Sequence, residues 1–116
     1  MDQVAIRTDT CSIPLEQMRE NAAQAAQFLK AIANESRLMI LCHLDGKELS
    51  VTQLNQHLDL SQSALSQHLA VLRKDGLVTT RRASQTIYYS LSGEGAMQII
   101  HALRQMFCTD DLKASD

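Results

Sequence analysis

Residues 50–91 read SVTQLNQHLDLSQSALSQHLAVLRKDGLVTTRRASQTIYYSL. Ser50 is followed three residues later by Gln53, the spacing at which a hydroxyl and an amide cap a helix start reciprocally. Val51, Leu54 and Leu58 then fall on one side of a short helix. Only Asp59 and Leu60 separate it from a second helix, with Ser61 as N-cap, Leu65, Leu69 and Leu72 as inner face, and Gly76 at its stop. Two short amphipathic helices joined this tightly read as a helix-turn-helix. The period then changes. Ile87, Tyr89 and Leu91 alternate with Thr86, Tyr88 and Ser90, and β-prone residues flank Ala83-Ser84, which predicts a hairpin with Arg81 and Arg82 near its tip. A helix-turn-helix running straight into a basic hairpin predicts a winged helix-turn-helix, mainly α with a β-hairpin wing.

Outward from that stretch the chain is helical again. Met18, Ala22, Ala25, Ala26, Leu29 and Ile32 recur at three- and four-residue spacings, an alanine-rich stripe on a helix over 15–33. Asn34 caps a second helix, ESRLMILCHL, whose apolar face includes Leu38, Leu41 and Cys42 and which Asp45-Gly46 stops. After Ser92-Gly93, Met97, Ile100, Leu103 and Phe107 mark a last helix, with Gln98, His101 and Gln105 between them. The expected organisation is a flexible arm over 1–14, one domain over 15–108 and a polar tail over 109–116.

Composition bounds the function. The chain has 116 residues, 45% hydrophobic and 21% charged, which suits one ordinary globular domain. Aromatics are only 3%, too few for a site that stacks sugars or single-stranded bases on flat rings. No apolar run reaches the roughly 18 residues of a membrane span, and the N-terminus MDQVAIRTDT lacks the apolar core of a secretory signal. Three cysteines, Cys11, Cys42 and Cys108, are too few for a secreted disulfide framework, so the cytoplasm is the expected compartment. No paired acid and base, no glycine-rich phosphate loop and no CxxC motif supports an enzyme such as a thiol transferase or peroxidase.

The net charge is −2, yet residues 61–90 hold Arg73, Lys74, Arg81 and Arg82 against Asp75 alone. A basic quarter within an acidic chain points to a local anion-binding face. On the second helix of the pair, Gln62, Ser63, Ser66 and Gln67 lie away from the leucines. Serine reaches phosphates or base edges without bulk, and glutamine pairs with adenine N6 and N7 in the major groove. These residues are the expected contacts to double-stranded DNA, with Arg81 and Arg82 neutralising phosphate from the wing. His68 adjoins this surface, where it either joins it or packs against the hairpin.

The segments LKAIANESRLMILCHL, LSQSALSQHLAVLRKDGLVTTRR and QTIYYSL resemble the ArsR/SmtB family of bacterial winged-helix repressors over roughly 25–108. The resemblance implies a homodimer through the first and last helices, bound to an inverted-repeat operator. Many members of the family sense metals. Here Ser50 and Thr52 stand where a cysteine cluster would be needed in ELSVTQL, and His101 has no second histidine in EGAMQIIHALRQMFC. His43 and His57 read as isolated structural or solvated residues, and no metal or cofactor is expected.

Read alone, Cys42 and Cys108 are core packing thiols before they are reactive ones. Their positions in ILCHL and QMFC resemble the persulfide-responsive subgroup of the family, the BigR, SqrR and HlyU type. That resemblance implies that Cys42 and Cys108 become linked by a disulfide or polysulfide bridge when reactive sulfur species appear, and that the repressor then leaves its operator. Cys11 resembles an extra N-terminal cysteine not required for sensing. A general peroxide sensor on the same thiols and a metal sensor are the competing expectations.

Overall fold

The computed structural model describes residues 13–107. Most of the expected arm over 1–14, Cys11, Cys108 and the expected tail over 109–116 lie outside the described residues. Within them the order is α1 (Leu15–Ile32), α2 (Glu35–Leu44), β1 (Leu49–Ser50), α3 (Val51–His57), α4 (Gln62–Lys74), β2 (Val78–Ala83), β3 (Thr86–Leu91) and α5 (Gly95–Phe107). The fold is a winged helix-turn-helix, as the change of period predicts.

The capping residues mark the boundaries they were expected to mark. Asn34 accepts a hydrogen bond from the Arg37 backbone N–H (3.0 Å) and starts α2. Ser50 and Gln53 close a complete capping box on α3, at 3.2 and 2.9 Å. Ser61 accepts from the Ala64 N–H (3.0 Å) and starts α4. At the far end of α4, Gly76 adopts φ +79° while its N–H bonds to Arg73 O (3.1 Å) and that of Leu77 to Leu72 O (2.8 Å). That pair of bonds satisfies carbonyls the helix would otherwise leave open, and it needs a residue free to enter the left-handed region.

Leu65, Leu69 and Leu72 of α4 are buried together with Leu54, Leu58, Leu77, Val78 and the inner residues of α2. On α2 the observed inner face differs from the expected one. Ile40, Leu41 and Leu44 are buried, whereas Leu38 and Cys42 are half-buried at its edge. The run LMIL leaves no polar residue to select a side. The helix is instead set by its neighbours, packing against α1, α4, α5 and β3. Along α1 only Ala31 and Ile32 are buried; Leu15, Met18 and Leu29 are exposed on the single chain, as are Met106 and Phe107 of α5.

The sheet is antiparallel with order β1-β3-β2. Arg81 stands opposite Tyr88 and Arg82 opposite Ile87, and the two-residue turn Ser84-Gln85 places Ser84 at φ 62°. The sequence pattern does not reveal β1. Its two residues pair with Tyr89 and Tyr88 and lead directly into the capping box, so the wing is anchored to the start of α3.

Because Ser50 is buried and closes the α3 box, Ser50→Ala should destabilise the chain by about 1 kcal/mol. Chemical denaturation checks this, with an unchanged midpoint as the contrary result.

Candidate nucleic-acid interface and thiol pocket

Helices α3 and α4 are joined across 58–61, where Asn55 Nδ2 donates to the Leu60 carbonyl (2.7 Å) and pins the turn. With the leucines of α4 turned into the core, Gln62, Ser63, Ser66 and Gln67 are all exposed on its outer side, and Arg73 and Lys74 follow in its last turns. The four expected reading residues therefore share one solvent-facing surface. His68 sits differently. It is half-buried, and its Nδ1 accepts from Arg37 Nη1 (3.4 Å), so it meets α2.

Arg37 joins three elements. Its Nε donates to the Ala31 carbonyl and its Nη2 to that of Lys30 (3.4 Å), both at the C-terminal end of α1. A cation there balances the partial negative charge of unpaired carbonyls. The same side chain, on α2, also reaches His68 on α4.

On the wing the two arginines are not equivalent, although the sequence presents them as a doublet. Arg82 is exposed and has no ion pair among the described residues. Arg81 donates from Nε and Nη2 to the two carboxylate oxygens of Glu48, both at 2.8 Å, with its guanidinium 5.2 Å from the Tyr88 ring centre. The hydrogen bonds from Arg81 hold the Glu48 carboxyl below its ordinary range and raise Arg81 in turn. Glu48 escapes a sequence reading because it lies 33 residues from Arg81 and meets it only through the sheet.

The second candidate site lies between α2 and α5. Cys42 is half-buried and lines an apolar pocket of about 280 Å³ with Leu38, Leu103, Arg104 and Phe107. Phe107 precedes Cys108 in the chain. Arg37 is turned away from Cys42 towards α1, whereas Arg104, 62 residues further along the chain, donates to the Cys42 backbone carbonyl (3.2 Å). Asp45, whose side chain is only 11% exposed, takes Arg104 Nη1 and His101 Nε2, each at 3.1 Å, and so clips α5 to the end of α2.

His43 and His57, read from the sequence as isolated, are neighbours. Their ring centres are 5.6 Å apart, and His43 Nδ1 donates to the Met39 carbonyl (3.1 Å). The last turns of α2 and α3 converge there, which sequence spacing does not show. Among the described residues no three His, Cys, Asp or Glu side chains gather in an arrangement able to hold a metal ion, and no helix is long and apolar enough to cross a membrane.

Residues 34–80 match the family model for bacterial regulatory proteins of the arsR family. The chain is 53% identical over 94 residues to the transcriptional activator HlyU of Vibrio cholerae, spanning 81% of this chain and 87% of that protein. It is 42% identical over 103 residues to a biofilm growth-associated repressor of Agrobacterium fabrum, spanning 89% of this chain and 88% of that one. The structure of reduced HlyU from Vibrio cholerae matches with a TM-score of 0.76 at 53% identity, over 81% of this chain and 99% of that one.

A carboxylate depressed in the fold contributes stability above its ordinary titration range and loses it as pH falls through the folded-state value. The Glu48–Arg81 pair should therefore be closed at neutral pH and open in acid. In Arg81→Gln the Glu48 carboxyl should titrate at higher pH than in the parent chain, as followed by NMR of the side-chain carboxyl. An unmoved titration would count against the pairing.

Proposed function

Because the chain belongs to the arsR family of bacterial regulatory proteins, it is a DNA-binding transcriptional regulator and not an enzyme, and we propose that it is a cytoplasmic homodimeric repressor released from an inverted-repeat operator when Cys42 and Cys108 become linked. The dimer forms through α1 and α5. The apolar residues they leave open on one chain, Leu15, Met18 and Leu29 with Met106 and Phe107, support that contact. Each protomer then places α4 in the major groove, about one DNA turn (~34 Å) from its partner. Gln62, Ser63, Ser66 and Gln67 face base edges and phosphates there, with His68 behind them against Arg37 and the wing on the backbone.

The observation that carries the thiol reading is the pocket. Cys42 shares an apolar recess with Phe107, and Cys108 is the next residue. A low-molecular-weight persulfide, RSSH, supplies the oxidising sulfur. One cysteine thiolate takes its outer sulfur, giving a protein persulfide and RSH. The second cysteine attacks the protein-bound sulfur of that persulfide and displaces the outer one as hydrogen sulfide, closing a disulfide. The two electrons given up by the thiols leave on the expelled sulfide. If both cysteines carry an extra sulfur first, the same displacement closes a trisulfide and again expels hydrogen sulfide.

Linking α2 to the dimerisation helix changes operator affinity only as far as the linked and reduced forms prefer different spacings of the two α4 helices. A coupling of ordinary size corresponds to roughly a 5–150-fold loss of affinity. Cys42→Ser and Cys108→Ser should each bind operator like the reduced parent and fail to release on treatment with persulfide; Cys11→Ser should respond normally. Gel-shift titrations with mass spectrometry of the cysteine peptides check this. Normal release of either of the first two variants removes the thiol mechanism, and release by peroxide as effective as by persulfide assigns the same thiols to a general oxidant.

A further inference from the structure

The two wing arginines stand in different surroundings, Arg81 paired with Glu48 and Arg82 without an ion pair among the described residues. We propose that Arg81 and Glu48 form a brace that positions the wing, with Glu48 as a positioning residue, and that Arg82 alone of the two is the wing's phosphate contact. The inference rests on the operator-binding reading and is independent of the thiol chemistry.

The register places the brace. Across the sheet Arg81 stands opposite Tyr88, and Tyr88 opposite Ser50. Glu48 stands just ahead of β1, two residues before Ser50, and its hydrogen bonds from Arg81 put its carboxylate on the same side as Tyr88 and Arg81. The Arg81 guanidinium crosses the central strand over the Tyr88 ring and meets both oxygens of Glu48. One end of this tie is on β2, the hairpin strand that no other strand flanks on its outer side. The other is on the residues that enter the α3 capping box. The wing is thereby fixed relative to the helix-turn-helix by a side-chain tie as well as by the short β1 pairing.

Most exposed ion pairs contribute little, because each holds two long side chains in one geometry while water screens the attraction. This pair is 56% and 37% exposed at its two side chains. It differs from the ordinary case in being a two-pronged fork, which adds directional specificity, and in being seated on an aromatic ring. A phosphate oxygen competing for Arg81 would have to break both hydrogen bonds and leave the Glu48 carboxylate facing a like charge. Arg82, on the opposite strand face, meets no such competitor among the described residues.

The brace and a phosphate contact predict different salt dependence. A residue that neutralises a phosphate contributes to the slope of log affinity against log salt, whereas loss of a positioning residue lowers affinity at every salt concentration alike. The probe is a duplex recovered from a random-sequence pool by the wild-type chain; failure to enrich any duplex would sink the operator reading itself before the brace is tested. On that duplex, Arg82→Gln should reduce the salt slope by about one. Arg81→Gln and Glu48→Gln should each weaken binding roughly two- to five-fold with the slope unchanged, as a loosened surface tie would. The exchanged double variant Glu48→Arg with Arg81→Glu should recover most of that loss. A slope reduced by about one in Arg81→Gln, no loss of affinity in either single variant, or an exchange no better than the singles would each overturn the brace.

Discussion

The inner face of α4 is the centre of the core, and the rest of the structure depends on that burial. Leu65, Leu69 and Leu72 are almost wholly removed from water and meet the inner residues of α2, α3 and the base of the wing. Burying each such side chain is worth about 1.5–3 kcal/mol, so α4 cannot roll to present another side. Its outer row of Gln62, Ser63, Ser66 and Gln67 is exposed for the same reason that its leucines are not. The proposed DNA-reading surface is thus held by the packing of its own helix, with short polar side chains on a rigid support.

Helix α2 is where that support meets the thiol site. Arg37 and Cys42 lie five residues apart on it. Through Arg37 the helix touches the end of α1 and His68 of α4; at Cys42 it shares a pocket with α5. One short element therefore borders α1 and α5, the helices of the proposed dimer contact, and α4, the proposed recognition helix. A shift of α2 of even a fraction of an ångström has to be taken up by α4, because packed interiors have few voids to absorb it. Such continuity is necessary for coupling but not sufficient; the two forms must also differ in the spacing they favour.

Local physics made much of this fold legible. Asn34, Ser50, Ser61 and Gly76 act within three or four residues of themselves, and the cap geometry each adopts needs no tertiary partner. The exposure of Gln62, Ser63, Ser66 and Gln67 was legible because the leucines of α4 claim its buried side. What local pattern could not show was set by assembly. The inner face of α2 was obscured by an unbroken apolar run, and β1 is too short to carry an alternation. His43 meets His57, and Asp45 meets His101 and Arg104, only because separate helices converge. The doublet of Arg81 and Arg82 looked uniform in sequence, since the carboxylate that pairs with Arg81 alone comes from the residue before β1.

The contacts along α5 also indicate how a bond at its end would gain leverage. In the reduced chain His101 and Arg104 are tied to Asp45, and Arg104 also reaches the Cys42 carbonyl. Successive turns of α5 thus run along α2 from its C-terminal cap back towards Leu38, with Phe107 in the shared pocket. The Asp45 clip fixes the near part of that contact, and in the far part Phe107 shares an apolar pocket with Leu38 and Cys42. A covalent link between Cys42 and Cys108 would constrain this far part while the clip serves as the pivot, so its effect would be a change in the tilt of α5 against α2. Because α5 belongs to the proposed dimer contact, a tilt there is repeated by symmetry in the partner, and the separation of the two α4 helices changes by the sum of both.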